Sequence, residues 1–208
     1  MTFQHTLFSE GIHDYCFYET PRWLIDLVLR EAPLHGSILD AGAGKGALSE
    51  AVQAAHPDTS ITAVEIHPER CAHMRGEHPG WTVVESDFLG YARDLGGKQL
   101  FDGIIMNPPF KIKGDPKWPT TWDSFVLAGL SILKPGATML VVGFANVLGG
   151  MSRVENLHRR HPPQAVYWSM RRPRYREDKL SGASRDTIIL EYSTNPSCAR
   201  THPRVVWI

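Results

Sequence analysis

The chain has 208 residues, 42% of them apolar, with 22 Lys and Arg against 22 Asp and Glu. That length buries a core without disulfides or metal, and the balance excludes a disordered chain. No apolar run reaches the roughly 18 residues needed to cross a bilayer.

The zero net charge conceals a division. Residues 1–110 carry 7 basic against 15 acidic side chains, net −8, and residues 111–208 carry 15 against 7, net +8. A basic half offers a surface to a polyanion, although segregated charge can equally be a solvated face. Cys16, Cys71 and Cys198 show no paired spacing, which suits a reducing compartment. The start "MTFQHTLFSEGIHDY" lacks the basic and apolar regions of a signal peptide, so a cytoplasmic location is expected.

Helix and strand patterns alternate from residue 20. "TPRWLIDLVLREA" has apolar side chains at helical spacing, with Thr20 as the expected N-cap and Pro21 in the first turn. "SILDAG" reads as a buried strand, "GALSEAVQAAHP" as a helix, "SITAVEI" as a strand, and "PERCAHMRGEHP" as a helix. "WTVVES" and "FDGIIMN" are the third and fourth strands. "WDSFVLAGLSILKPG" is a helix closed by Pro135 and Gly136, and "ATMLVVGF" is the fifth strand. "RVENLHRRH" is expected to be helical, "QAVYWSM" and "DTIILEYS" two further strands, and "RRPRYREDKLSGASR" an exposed loop. The expectation is an α/β fold: one domain over 1–208, with a mostly parallel seven-stranded sheet and helices on both faces. Within it, 1–35 is an N-terminal segment and helix, 36–145 the core, and 146–208 C-terminal strands with a basic loop.

In "LDAGAGKGALS", Asp40 ends a strand and Gly42, Gly44 and Gly46 precede a helix. Glycines there permit a tight turn and close approach of a ligand, as dinucleotide and phosphate sites also require. An acid in front of them disfavours phosphate and suits a cationic or hydroxyl-bearing ligand. Glu65 ends the next strand, where a carboxylate can accept from both ribose hydroxyls; that spacing fits dehydrogenases as well as transferases. Asp87 and Phe88 follow the third strand, where an acid and a ring could hold an adenine's amino group and cover its face. They could equally be a surface acid beside a core Phe.

"DAGAGKG", "VEI", "SDF" and "NPPF" in this order resemble the class I S-adenosylmethionine-dependent methyltransferases. Asn-Pro-Pro-aromatic after the fourth strand resembles the branch that methylates planar nitrogens of adenine, guanine or glutamine amide. "FYETPRWLIDLVL" is similar to the segment that closes the cofactor pocket in DNA adenine methyltransferases. "LHRRHPPQAVYWSMRRPRYREDKLSG" and "PRVVWI" resemble small phage-type adenine methyltransferases, though without a large segment for reading DNA sequence. The resemblance implies a Rossmann-like fold and S-adenosylmethionine as cofactor, bordered by Tyr18, Thr20 and Pro21. It places Asp40, Ala41, Gly42, Gly44, Glu65, Ile66, Asp87, Phe88 and Asn107 at the cofactor, and Asn107, Pro108, Pro109 and Phe110 at the reacting centre.

The residue types suit that chemistry. A conjugated amine is a poor nucleophile because its lone pair is delocalised. The Asn107 side-chain oxygen and a peptide carbonyl near Pro108 could accept its two hydrogens and favour a tetrahedral nitrogen. Two prolines would fix the carbonyl, and Phe110 could stack on a flipped base. Neither a strong base nor a metal is required, and His158 with His161 does not make a zinc site.

"KIKGDPKWPTTW" places Lys111, Lys113 and Lys117 beside Trp118 and Trp122. "RRPRYR" sets Arg171, Arg172, Arg174 and Arg176 around Tyr175. Cations interleaved with rings suit a single strand or an extruded base; the tryptophans suit a core equally. The expected activity is methylation of an exocyclic amine of a nucleic-acid base, adenine N6 in DNA first. Alternatives are guanine N2 or adenine N6 in RNA, then protein glutamine, then a non-catalytic nucleic-acid-binding protein.

Overall fold

The computed structural model describes residues 20–109, 121–149, 154–169, 186–194 and 203–208. Its helices are α1 (Arg22–Glu31), α2 (Ala47–Ala55), α3 (Pro68–Glu77), α4 (Phe88–Asp94) and α5 (Thr121–Ile132). The strands are β1 (Ser37–Ala41), β2 (Ser60–Glu65), β3 (Thr82–Glu85), β4 (Phe101–Met106), β5 (Leu133–Phe144), β6 (Ala165–Trp168), β7 (Thr187–Ser193) and β8 (Arg204–Trp207). They form one sheet in the order β3-β2-β1-β4-β5-β7-β6-β8. From β3 to β5 all neighbours are parallel; β7 runs antiparallel to β5 and β6, and β8 parallel to β6.

Central strands buried on both faces should read as continuous apolar runs: "GIIM" does, and "SILDA" is buried from Ile38 to Ala41 with Asp40 interrupting the run. One apolar cluster joins the sheet to α1, α2 and α3 through Leu24, Val28, Leu48, Val52 and Met74. The other joins it to α4 and α5 through Phe88, Trp122, Phe125 and Val126. The two clusters are the two faces of an α/β sandwich.

The chain winds outward through β1, β2 and β3, then returns to lay β4 against the other side of β1. Reversal of strand order opens a crevice beyond the carboxyl ends of β1 and β4, where α/β sheets take ligands. Ala41 pairs with Met106, so the glycine turn after β1 and the "NPP" turn after β4 leave the sheet side by side.

Four expectations are revised. The sheet has eight strands, not seven, because "RVVW" adds β8 to the β6 edge. Arg204 N donates to the Gln164 carbonyl and Ile208 N to that of Trp168. The fifth strand starts before Pro135 and Gly136: Leu133 pairs with Phe101, and the ladder shifts register before resuming at Gly103 with Thr138. Pro135 cannot donate, so a bulge absorbs it where a helix stop was expected. Among the described residues, "RVENLHRRH" forms a five-residue π-helical turn, Val154–His158, ahead of Pro162 and Pro163. Finally, Thr20 does not cap α1. Leu24 N and Ile25 N bond to the Pro21 carbonyl, and the Thr20 hydroxyl is used elsewhere.

Candidate active site

Three glycines give the turn after β1 its shape, with φ of 76° at Gly42, 62° at Gly44 and 95° at Gly46. L side chains rarely adopt such angles. At Gly46 a Cβ would also stand 2.8 Å from Trp81 Cζ3, so the turn and the β3 approach require glycine for two reasons.

The turn is tied to β2. Gly42 N and Ala43 N donate to the Val64 carbonyl at 2.9 and 3.0 Å, and Gly46 N to that of Ala43 at 2.9 Å. Gly44 N donates to Glu65 Oε2 at 2.8 Å. Four loop amides are therefore spent inside the protein, which leaves a poor cradle for a pyrophosphate. Two buried carboxylates, Asp40 and Glu65, add repulsion to that shortage. The dehydrogenase reading left open by the spacing of Glu65 loses its physical basis here.

Glu65 is 4% exposed, and its other oxygen accepts from Ile66 N at 3.0 Å and His67 N at 2.9 Å. It clamps the turn through both oxygens. Glu65→Ala is expected to lower stability by about 2–3 kcal/mol, since a charge-assisted buried acceptor is lost. S-adenosylmethionine affinity should fall at least about tenfold as the loop loosens. Thermal melting and calorimetry check both, and wild-type affinity in the variant would refute the role.

Asp40 is fully buried. Its Oδ2 accepts from Ser49 Oγ at 2.7 Å and Ser49 N at 3.2 Å, reaching over the glycine turn to an amide in the first turn of α2. Oδ1 is buried and has no hydrogen-bond partner among the described residues. Burial pushes the carboxyl up to about 7; the Ser49 bonds oppose this and the Glu65 charge adds to it. Ser49 went unnoticed in the sequence. A Ser nine residues after an acid, just inside a helix, was the available signal.

Asp87 caps α4, its Oδ2 accepting from Gly90 N at 2.9 Å. Ser86 N donates to the Glu65 carbonyl, which brings the ends of β2 and β3 together. Asn107 lies half-buried just past β4, with Pro108 buried behind it. Its Nδ2 donates to Thr20 Oγ1 at 3.0 Å across 87 residues of sequence.

The turns after β1, β2, β3 and β4 thus line the same end of the sheet. The methyltransferase small domain model matches residues 4–158. The chain belongs to that family.

Two curated relatives give the scale of the likeness. A release factor glutamine methyltransferase of Deinococcus radiodurans is 29% identical over 140 residues, 61% of this chain and 50% of that protein. Ribosomal RNA small subunit methyltransferase C of Shewanella pealeana is 36% identical over 121 residues, 56% and 34% respectively. The methyltransferase small domain chain spans half or less of these relatives' length. Among solved structures, a candidate class I S-adenosylmethionine-dependent methyltransferase from Listeria monocytogenes superposes with a TM-score of 0.67 at 14% identity. The match covers 96% of this chain and 68% of that one. A candidate RNA methyltransferase from Pyrococcus horikoshii gives 0.63 at 17%, covering 89% and 91%. The fold is that of class I methyltransferases, and S-adenosylmethionine is the methyl donor the family implies. The narrower likeness to phage-type DNA adenine enzymes goes beyond what these matches carry.

The donor set fits that cofactor. S-adenosylmethionine carries an ammonium and a sulfonium, and the buried Asp40 Oδ1 is an acceptor with no hydrogen-bond partner among the described residues. Asp87 is half-buried just past the end of β3, where its carboxylate caps α4. Ala41 is buried, while Gly42, Ile66 and Pro21 are partly open.

Two aromatic readings left open by the sequence fall to the core. Phe88 is 2% exposed and packs against Phe125, ring centroids 5.0 Å apart, so it has no open face for an adenine. Trp122 is 1% exposed and donates Nε1–H to the Val142 carbonyl at 2.9 Å, a core anchor and not a stacking platform. Tyr18, Phe110, Lys111, Lys113, Lys117, Trp118, Arg171, Arg172, Arg174, Tyr175 and Arg176 lie outside the described residues. Among the described residues no three His, Cys, Asp or Glu side chains are grouped to hold a metal ion. Nor is any described helix long and apolar enough to cross a membrane.

Proposed function

We propose that this chain transfers a methyl group from S-adenosylmethionine to the exocyclic amine of a purine base in nucleic acid. The observation that carries the reading is Asn107, followed by two prolines, at the switch-point end of β4 beside the glycine turn, with its carboxamide held by Thr20. When bound, S-adenosylmethionine supplies a methyl carbon made electrophilic by a positive sulfur.

The chain's own residues do the rest. Asn107 Oδ1 and the peptide oxygen near Pro108 accept the two amine hydrogens, which draws the nitrogen lone pair out of conjugation. The same dipoles stabilise positive charge growing on that nitrogen. Pro108 and Pro109 keep the acceptors from relaxing away. Asp40 balances a cofactor cation, Glu65 and Asp87 accept from its hydroxyl and amino groups, and Phe110 covers the acceptor base.

Nucleic acid is favoured by charge: the basic half, net +8, begins directly after "NPPF". RNA ranks ahead of the DNA adenine N6 expected from sequence, because the 36% identical relative is named for ribosomal RNA. A second reading, a glutamine side-chain amide, is favoured by two release factor glutamine methyltransferases at 29% and 28% identity. Asn107 suits both, since each acceptor is a planar NH2.

The test is incubation with tritium-methyl S-adenosylmethionine and, separately, ribosomal RNA, single- and double-stranded DNA, and a glutamine-bearing release-factor loop peptide. Nucleoside and amino-acid analysis should then find label on a purine amine. Label on the peptide alone would replace the first reading with the second, and no label anywhere would refute both.

A further inference from the structure

We propose that Thr20 is a positioning residue for the reaction: its hydroxyl holds the Asn107 carboxamide in the orientation that turns Oδ1 toward the acceptor amine. The inference rests on the reading of Asn107 as the group that takes up the amine's hydrogens. It gives Thr20 a task distinct from the cofactor wall that resemblance implied.

An asparagine at a strand end has a broad, roughly two-fold final torsion, so nothing in its own bonds selects which end of the amide faces the crevice. A hydrogen bond in which Thr20 Oγ1 acts as acceptor favours one of the two ends. Nδ2 of Asn107 donates to Thr20 Oγ1 at 3.0 Å. With the nitrogen end committed there, the oxygen end lies on the opposite side of the amide carbon.

Both partners are stiff. Thr20 precedes Pro21 and Asn107 precedes Pro108, and a residue before proline is confined to extended backbone. Pro21, with φ −59° and ψ 131°, leads straight into α1, whose Leu24, Ile25, Val28 and Leu29 are buried. Thr20 is therefore anchored to the core on one side of the bond, and Asn107 to β4 on the other. Thr20 is itself only 4% exposed, so water competes poorly for its hydroxyl. Thr20 stands where an N-cap is expected but leaves α1 without a side-chain cap. A hydroxyl diverted from a helix end to a proposed reacting centre suggests a task there.

The experiment compares Thr20→Val, which keeps the shape and loses the acceptor, with Thr20→Ser, which restores it. Three readouts are taken: turnover on the nucleic acid labelled in the survey above, S-adenosylmethionine Kd by calorimetry, and hydrogen exchange of the Asn107 side-chain amide by NMR. Thr20→Val is expected to lower kcat about tenfold, the rate equivalent of one hydrogen bond, with Kd unchanged. Asn107 Nδ2 hydrogens should exchange faster in Thr20→Val and regain protection in Thr20→Ser, together with kcat.

Wild-type kcat or unchanged amide protection in Thr20→Val would overturn the proposal. So would a loss confined to Kd, or a Thr20→Ser variant as impaired as Thr20→Val. The amide readout needs no substrate. If Asn107→Ala turns over like the wild type, the functional reading has failed on its own. Exchange still decides whether Thr20 holds the carboxamide.

Discussion

Asn107→Ala is expected to lower kcat by about two to three orders of magnitude, the usual cost of one preorganised dipole aimed at developing charge. The Kd for S-adenosylmethionine should change by less than about threefold, well under one pKa-unit equivalent of free energy. The split follows from position. Asn107 stands past β4, whereas the carboxylates assigned to the cofactor end β1 and β2 or follow β3. Uniform binding energy would appear in KM; an interaction made only as nitrogen becomes tetrahedral appears in kcat. The variant should still fold, because Asn107 is half-buried and its bond to Thr20 contributes only about 1 kcal/mol. Single-turnover kinetics with saturating cofactor would read the chemical step directly. A rate within twofold of wild type would remove Asn107 from the mechanism.

The parts of this site that could be read from sequence are those where local chemistry and global position agree. Asp40, Glu65 and Asn107 each close a run of apolar residues and the three glycines follow the first of them, so strand periodicity and turn chemistry placed them without knowledge of contacts. The aromatics were ambiguous for the opposite reason. Phe88 after an acid, and Trp122 near three lysines, are equally at home in a core, and only packing against Phe125 and Val142 decides. Pro135 and Gly136 resemble a helix stop, but burial of Leu133 and its pairing with Phe101 draw the strand start forward past them. β8 is short and partly exposed, and the Tyr167–Glu191–Arg204 hydrogen bonds that tie it to β6 and β7 join distant segments. Thr20 looked like a cap because local rules describe a helix end, whereas its partner lies 87 positions away.

Asp40→Asn is expected to stabilise the cofactor-free protein at pH 8 and to cripple cofactor binding. The Asp40 carboxyl is raised from 3.8 to about 7, by burial first and the Glu65 charge last, against the pull of Ser49. Between those two values the folded chain keeps a proton that the unfolded chain has lost. Asp40's contribution to stability is therefore undiminished below about pH 4, falls as pH rises, and reaches its full cost above about pH 7. At pH 8 the ionised carboxylate costs on the order of 4 kcal/mol relative to a group that never ionises. Asparagine is such a group, and its oxygen can still accept from Ser49. The melting temperature of Asp40→Asn should then exceed that of wild type at pH 8 by about 10 °C. The gap should close toward pH 4. Taking the difference between the two proteins cancels the titration of shared groups such as His56, His161 and Cys71. A buried carboxylate that weakens its own fold suggests a task performed in the ionised state, and Oδ1, without a partner among the described residues, is where a cationic ligand would supply compensation. S-adenosylmethionine should accordingly bind wild type more tightly at pH 8 than at pH 5.5, where it must displace the proton. Asp40→Asn should lose at least about tenfold in affinity at pH 8. Calorimetry in buffers of different ionisation enthalpy would count the proton released. Melting curves that fall together at every pH would mean that Asp40 is already neutral or already compensated, and the electrostatic account of the glycine turn would have to be abandoned.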